Sequence, residues 1–107
     1  MANIGDVTDG DFQDKVLSSS APVLVDFWAE WCVPCHMVSP AVEEIGNEQT
    51  GLSVAKLNVD ENPEATRQYG VMSIPSLILF KGGQEVGRVV GARPKEAILK
   101  EIEPHLG

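Results

Sequence analysis

The sequence predicts an α/β fold: a central mixed β-sheet flanked by helices on both faces. Three observations predict it. Short apolar, β-rich runs alternate with stretches whose apolar residues recur at helical spacing. Residues that open and close helices fall between those runs. Between the last two strand candidates lies Gly82-Gly83, a two-residue hairpin turn. The resulting order is β-α-β-α-β-α-β-β-α. Strand–helix alternation calls for a mostly parallel sheet, and the closing hairpin adds antiparallel edge strands.

The elements follow in order. A first strand is expected near Asn3 to Val7. Thr8 opens a helix by capping its free N–H groups, with Asp11 near the positive end. Phe12, Val16 and Leu17 form its apolar face, and it fades at Ser18-Ser19-Ser20. "PVLVDFW" (22–28) is almost wholly apolar and reads as a buried strand. A second helix starts at about Pro34, with Val38, Val42 and Ile45 on one face. Pro40 lies inside it and should kink it, because proline lacks the N–H and crowds the preceding turn. "LSVAKLNV" (52–59) is the next strand. Asn62 then caps a short helix with Pro63 at its first position, and Gly70 ends it. Residues 76–81 and 85–90 form the hairpin, and a last helix runs from about Pro94 through Leu99 and Ile102.

At 107 residues the chain has the size of one domain, 1–107, able to bury a core without metals or staples. Sixteen acids against eight bases give a net charge of −8, which a nucleic-acid backbone would repel. "MANIGDVTDGDF" has no basic region and no apolar run, so no secretory leader is expected. The apolar runs are too short to span a bilayer. The expected state is a cytoplasmic monomer away from membranes. In that compartment a cysteine pair is catalytic or metal-binding more often than a permanent staple.

The only two cysteines fall in "FWAEWCVPCHM" (27–37), where two signatures overlap. Cys32-x-x-Cys35 is a dithiol that can open and close; with His36 it is also the string that attaches a c-type haem. The spacing puts both sulfurs on one side of a helical turn, within bonding reach. Cys32 would face the unpaired N–H groups and positive end of the helix, so its thiolate is favoured. Cys35, one turn deeper, should be more buried and less ionised. Cys32 would then attack a disulfide and Cys35 would resolve the mixed disulfide, with Pro34 stiffening the turn between them. The competing readings are a haem on His36 with Met37 or Met72 opposite, a zinc site, and two inert core cysteines. Zinc needs four ligands, and His105 is at the far end of the chain. Met37, adjacent to His36, could not reach the opposite side of an iron.

"VDFWAEWCVPCHMVSP" and "KLNVDENPEATRQYGVMSIPSLILFKGGQEVGRVVGA" together resemble the thioredoxin family over nearly the whole chain. The resemblance implies the thioredoxin fold and thiol–disulfide exchange with protein disulfides, without a bound cofactor. It implies a thioredoxin reductase as partner, delivering electrons from NADPH through FAD, and oxidised proteins as substrates. Cys32 matches the family's nucleophile and Cys35 its resolving thiol. Trp31 and Trp28 match the tryptophans beside and beneath the site, and Pro40 the proline of the active-site helix. Asp26 matches the buried carboxylate, Lys56 its strand partner, and Pro75 the cis-proline facing the dithiol. Gly91 and Ala92 match the loop that helps form the docking groove. Val33 and His36 depart from the usual glycine and lysine. A neutral imidazole would support a nearby thiolate less than lysine does.

Read physically, a carboxylate inside "VLVDFW" either faces solvent at a strand edge or is buried with a raised pKa. The second case makes Asp26 a general base for Cys35, tuned by Lys56. X-Pro bonds are cis in only about 5–6% of cases, so a cis Ile74-Pro75 rests on the resemblance alone. It would offer the Ile74 backbone to a peptide as an added strand. Trp31, Ile74, Pro75, Gly91 and Ala92 would then surround Cys32 as a small apolar platform. A binding module using that groove, with redox only as a switch, is the alternative from another class. Asp60 and Glu61 read as surface charge, and nothing is assigned to His105.

Overall fold

The computed structural model describes residues 3–106. Five strands form one sheet: β1 (Asn3–Asp6), β2 (Val23–Trp28), β3 (Ser53–Asn58), β4 (Ser76–Lys81) and β5 (Gln84–Val90), in the spatial order β1-β3-β2-β4-β5. β3 pairs in parallel with both β1 and β2, while β4 pairs antiparallel with β2 and with β5. The sheet is therefore mixed in equal measure rather than mostly parallel. The hairpin does not supply two edge strands: β4 is interior, paired on both sides, and only β5 lies at that rim. β4 is buried from Ser76 to Phe80 and apolar from Leu77 to Phe80, which is what an interior position requires.

The described residues hold three α-helices: α1 (Val33–Glu48), α2 (Pro63–Gln68) and α3 (Lys95–Ile102). Alternation along β2 sorts the core. Val23, Val25 and Phe27 pack on one face with Phe12, Val16, Leu57, Ile78 and Phe80. Leu24 points the other way, to Val38, Val42 and Ile45 of α1 and to Ile98 and Ile102 of α3. Asp26 follows Leu24 by two residues and so shares the α1 face.

Three local expectations are corrected. The first helix is only one π-helical turn, Gln13–Leu17, in which the Ser18 N–H reaches the Gln13 carbonyl at 2.9 Å. Thr8 is not its cap: the N-cap is Phe12, which no side chain caps, and Thr8 instead exchanges bonds with Asp11 in the preceding turn, its N–H donating to Asp11 Oδ1 at 2.7 Å and the Asp11 N–H to Thr8 Oγ1 at 3.3 Å. Ser18 Oγ then accepts from the Gln13 side chain, and Ser19 Oγ donates to the Ala21 carbonyl and accepts from its N–H, side-chain partners that replace more helix. Second, Asn62 does not cap α2 with its side chain. Asp9 does, from far back in the chain, accepting from the Glu64 N–H at 3.0 Å and the Ala65 N–H at 2.8 Å. Asn62 Oδ1 is occupied with the Asp9 N–H at 2.8 Å. Third, the strands at 22–28 and 52–59 are each trimmed to Val23–Trp28 and Ser53–Asn58.

Other expectations hold. Pro40 lies inside α1. Gly70 follows α2 with φ 62°, a left-handed stop that a side chain would oppose. Gly82 and Gly83 both have positive φ, 62° and 81°, as a two-residue turn between strands of this twist demands. At the rims, β1 has four residues, and β5 opposes a register irregularity between Leu79 and Phe80 and carries the Glu85–Arg88 ion pair. No helix among the described residues is long and apolar enough to cross a membrane.

Candidate active site

β2 delivers the chain to the edge of the sheet at Trp28, and α1 starts five residues later. Cys32 is the N-cap of α1, and Pro34 sits in the first turn, where its missing N–H costs nothing. The Cys35 N–H donates to Cys32 Sγ at 3.2 Å. A sulfur in the N-cap position thus takes the role usually played by a serine or aspartate oxygen. The two cysteines are joined as a disulfide with Cα atoms 5.3 Å apart. Cys32 is 3% exposed and Cys35 2%, so in the disulfide form the two do not differ in burial as expected. What separates them is the N-cap position, which Cys32 alone holds.

Ala29, Cys32 and Cys35 form a small buried cluster against Trp28, Val59 and Ile74. The Ile74-Pro75 bond is cis. The Gly91 N–H donates to the Pro75 carbonyl at 2.8 Å, which brings the loop after β5 beside the proline. Ala92 itself is exposed, and only its neighbour makes that contact. An apolar groove of about 160 Å³ runs beside Trp31 and is lined by Val59, Val71, Met72 and Ile74, among others. Trp31 is exposed on its rim, and its indole N–H donates to Asp60 Oδ2 at 2.8 Å.

On the α1 face of the sheet, two residues before the end of β2, lies a buried carboxylate. Asp26 is 1% exposed, so the solvent-facing reading is overturned. Neither of its oxygens has a hydrogen-bond partner among the described residues. Burial pushes its carboxyl up to about 6, and the positive charge of Lys56 offsets part of that rise. Lys56 stands directly opposite Asp26 in the β2–β3 register. Its ammonium lies 4.6 Å from the centre of the Trp28 ring and donates to Ser39 Oγ at 3.4 Å. The Trp28 indole nitrogen is also buried without a partner. His36 turns away from this pocket: its Nε2 is 2.8 Å from the Glu30 carbonyl, and its ring meets the Trp28 ring edge-on.

The fold therefore brings together Cys32, Cys35, Trp28 and Ile74 directly, and pairs Asp26 with Lys56, whose ammonium lies over the Trp28 ring. Sequence reasoning missed Val59, Asp60 and Ser39. Asp60 lies two residues past the end of β3, at the same end of the sheet where β2 releases Trp31; strand order, once known, would have pointed to it. Among the described residues no group of three or more His, Cys, Asp or Glu is placed to hold a metal ion.

The thioredoxin family model matches residues 3–104. The chain belongs to the thioredoxin family. It is 52% identical over 107 residues to thioredoxin 1 of Nostoc sp. (strain PCC 7120 / SAG 25.82 / UTEX 2576), covering 99% of this chain and all of that one. It is 61% identical over 97 residues to the thioredoxin of Mycobacterium bovis (strain ATCC BAA-935 / AF2122/97), covering 90% of this chain and 84% of that one. It also matches the bifunctional thioredoxin reductase/thioredoxin of Mycobacterium leprae (strain TN), 58% identical over 98 residues that make up 91% of this chain and 21% of the relative. Membership decides between the two signatures in residues 27–37. This thioredoxin-family chain is a thiol–disulfide oxidoreductase that works through its Cys32–Cys35 pair, not a haem carrier.

Proposed function

We propose that Cys32 is the nucleophile, Cys35 the resolving thiol and Asp26 the general base in the reduction of protein disulfides. The Cys32 thiolate attacks one sulfur of the substrate disulfide. That S–S bond breaks, a mixed disulfide forms, and the first substrate sulfur leaves as a thiolate that takes a proton from solvent. Cys35 gives its proton to the Asp26 carboxylate and attacks Cys32 Sγ. The second substrate sulfur leaves, and two electrons have passed from the dithiol to the substrate.

The observation that carries this reading is the N–H of Cys35 aimed at Cys32 Sγ, at the mouth of α1. Donors that already point at a sulfur favour its anionic form. A base with its carboxyl near 6 is ionised at pH 7 and still basic enough to accept a proton. Lys56 tunes that base, Trp28 and Pro34 hold the pair in place, and Trp31, Ile74, Pro75, Gly91 and Ala92 form the platform on which a substrate peptide docks.

A thioredoxin reductase returns the chain to the dithiol, drawing on NADPH through FAD, with no cofactor bound here. The Mycobacterium leprae relative, whose name joins the two activities in one protein, supports that partnership. The chain acts as a one-domain monomer in the cytoplasm, where thiols are kept reduced. The test is reduction of insulin disulfides, with dithiothreitol and separately with NADPH plus a thioredoxin reductase. Activity in both is expected. No activity with dithiothreitol would refute the chemistry, and activity with dithiothreitol alone would refute the reductase partnership.

The apolar groove beside Trp31 favours a second use, the holding of partners with redox as a switch. Partner binding that survives Cys32→Ser together with Cys35→Ser would support it.

A further inference from the structure

We propose that His36 is a positioning residue, whose ring holds the Glu30 carbonyl and thereby fixes the loop that presents Trp31 beside Cys32. His36 Nε2 lies 2.8 Å from the Glu30 oxygen, across six residues of chain. A carbonyl only accepts, so Nε2 carries the proton. The T-shaped contact with Trp28, 5.9 Å between centroids at 75°, gives the ring a defined orientation from which to donate.

The segment between β2 and α1 is short and has no strand or helix of its own. Three bonds fasten it, each from a different place. Its own turn contributes the Cys32 N–H to the Ala29 carbonyl at 3.1 Å. The loop after β3 contributes Asp60, which accepts from the Trp31 indole. α1 contributes His36. Glu30 lies inside the turn that the Ala29–Cys32 bond closes, and the His36 bond ties that turn to α1. Lysine, usual at this position in the family, is a hydrated ammonium on a flexible stem and gives no comparable fixed direction. A protonated imidazole keeps its Nε2–H, so the strut outlasts protonation of the ring. Its effect is therefore separable from any effect of charge on the neighbouring thiols.

This inference rests on Trp31 being part of the docking platform. The expected signature is a KM effect, because a loosened Trp31 weakens docking while the sulfur chemistry at the helix mouth is intact. His36→Ala should raise KM for insulin about fivefold, the worth of one hydrogen bond, with kcat altered by less than about twofold. His36→Gln, uncharged but able to donate from its amide, should recover most of that KM. His36→Lys, charged but poorly directed, should not. Two-dimensional ¹H–¹⁵N spectra of the histidine rings should show the proton of His36 on Nε2.

A proton on Nδ1, an unaltered KM in His36→Ala, or equal KM increases in His36→Ala and His36→Gln would each overturn the strut. Trp31→Ala is the control. If it raises KM while His36→Ala does not, the docking reading stands and the strut falls. If Trp31→Ala leaves KM unaltered, the docking reading falls and takes the strut's functional role with it.

Discussion

Helices α1 and α2 both start just past the C-terminal end of a strand, and both carry proline in the first turn. Both must satisfy N–H groups that no earlier turn can reach. α2 does so with the carboxylate of Asp9, fifty-five residues away from one donor, Glu64. α1 does so with the sulfur of its own N-cap, Cys32. At α2 the bond holds the first turn and yields stability alone. Under the proposed roles, the same bond at α1 favours the Cys32 thiolate and yields reactivity. One physical need has become a fastener in one place and a chemical site in the other.

The comparison can be broken at several points. The largest effect is expected at the α1 cap. Cys32→Ser keeps a capping atom but removes the nucleophile, so insulin reduction should fall by at least about a thousandfold while the thermal midpoint of the reduced protein barely moves. A large loss of stability in that variant would show that the sulfur at α1 is chiefly a fastener after all.

Asp26 comes next. Its folded pKa, about 6, stands above its ordinary value of 3.8, so the folded state keeps the proton longer than the unfolded state does. The folded protein is favoured below about 3.8, and that advantage is lost as pH rises through 6. Wild-type stability should therefore drop by something on the order of 2–3 kcal/mol from this group between pH 4 and pH 7.5. Asp26→Ala should lack that slope and turn over more slowly near neutral pH. Denaturant melts of both proteins across the range would read the difference; parallel curves would mean the carboxyl is not poised as described.

Alkylation sharpens the α1 side. In the dithiol at pH 7, iodoacetamide should label Cys32 about tenfold faster than Cys35, because the thiolate is the reacting form. Equal rates would remove the asymmetry on which the division of roles depends.

The smallest effect is at α2. Asp9→Ala should cost about 1–2 kcal/mol of stability, as loss of a helix cap does, with insulin reduction at the wild-type rate. A matching loss of activity would mean that the α2 cap is more than a fastener.

Much of this was legible in the residues themselves because it is local. The Gly82-Gly83 turn, the Gly70 stop and the Pro34 and Pro63 helix starts each depend on backbone preferences that a dipeptide reveals. Cys32 at a helix mouth followed from a strand and a three-residue spacing. What stayed hidden depends on partners distant in sequence. Asp9 capping α2 cannot be read from either segment alone, and Asn62 has all the properties of a cap until Asp9 is seen to do the work. Asp60 looked like surface charge because its partner, the Trp31 indole, lies across the sheet edge. The interior position of β4 depends on strand order, which alternation of elements does not specify. The cis state of Ile74-Pro75 ran against the backbone base rate and was available only through family resemblance.

The two open rims of the sheet have a consequence for life in a crowded solution. A strand with free N–H and C=O groups is a template on which a foreign or misfolded segment can zip up. Here one rim is only four residues long, and the other is distorted and bears an arginine clasped to a glutamate. Neither offers a long, flat, greasy ladder, so neither rim is well suited to seed an aggregate.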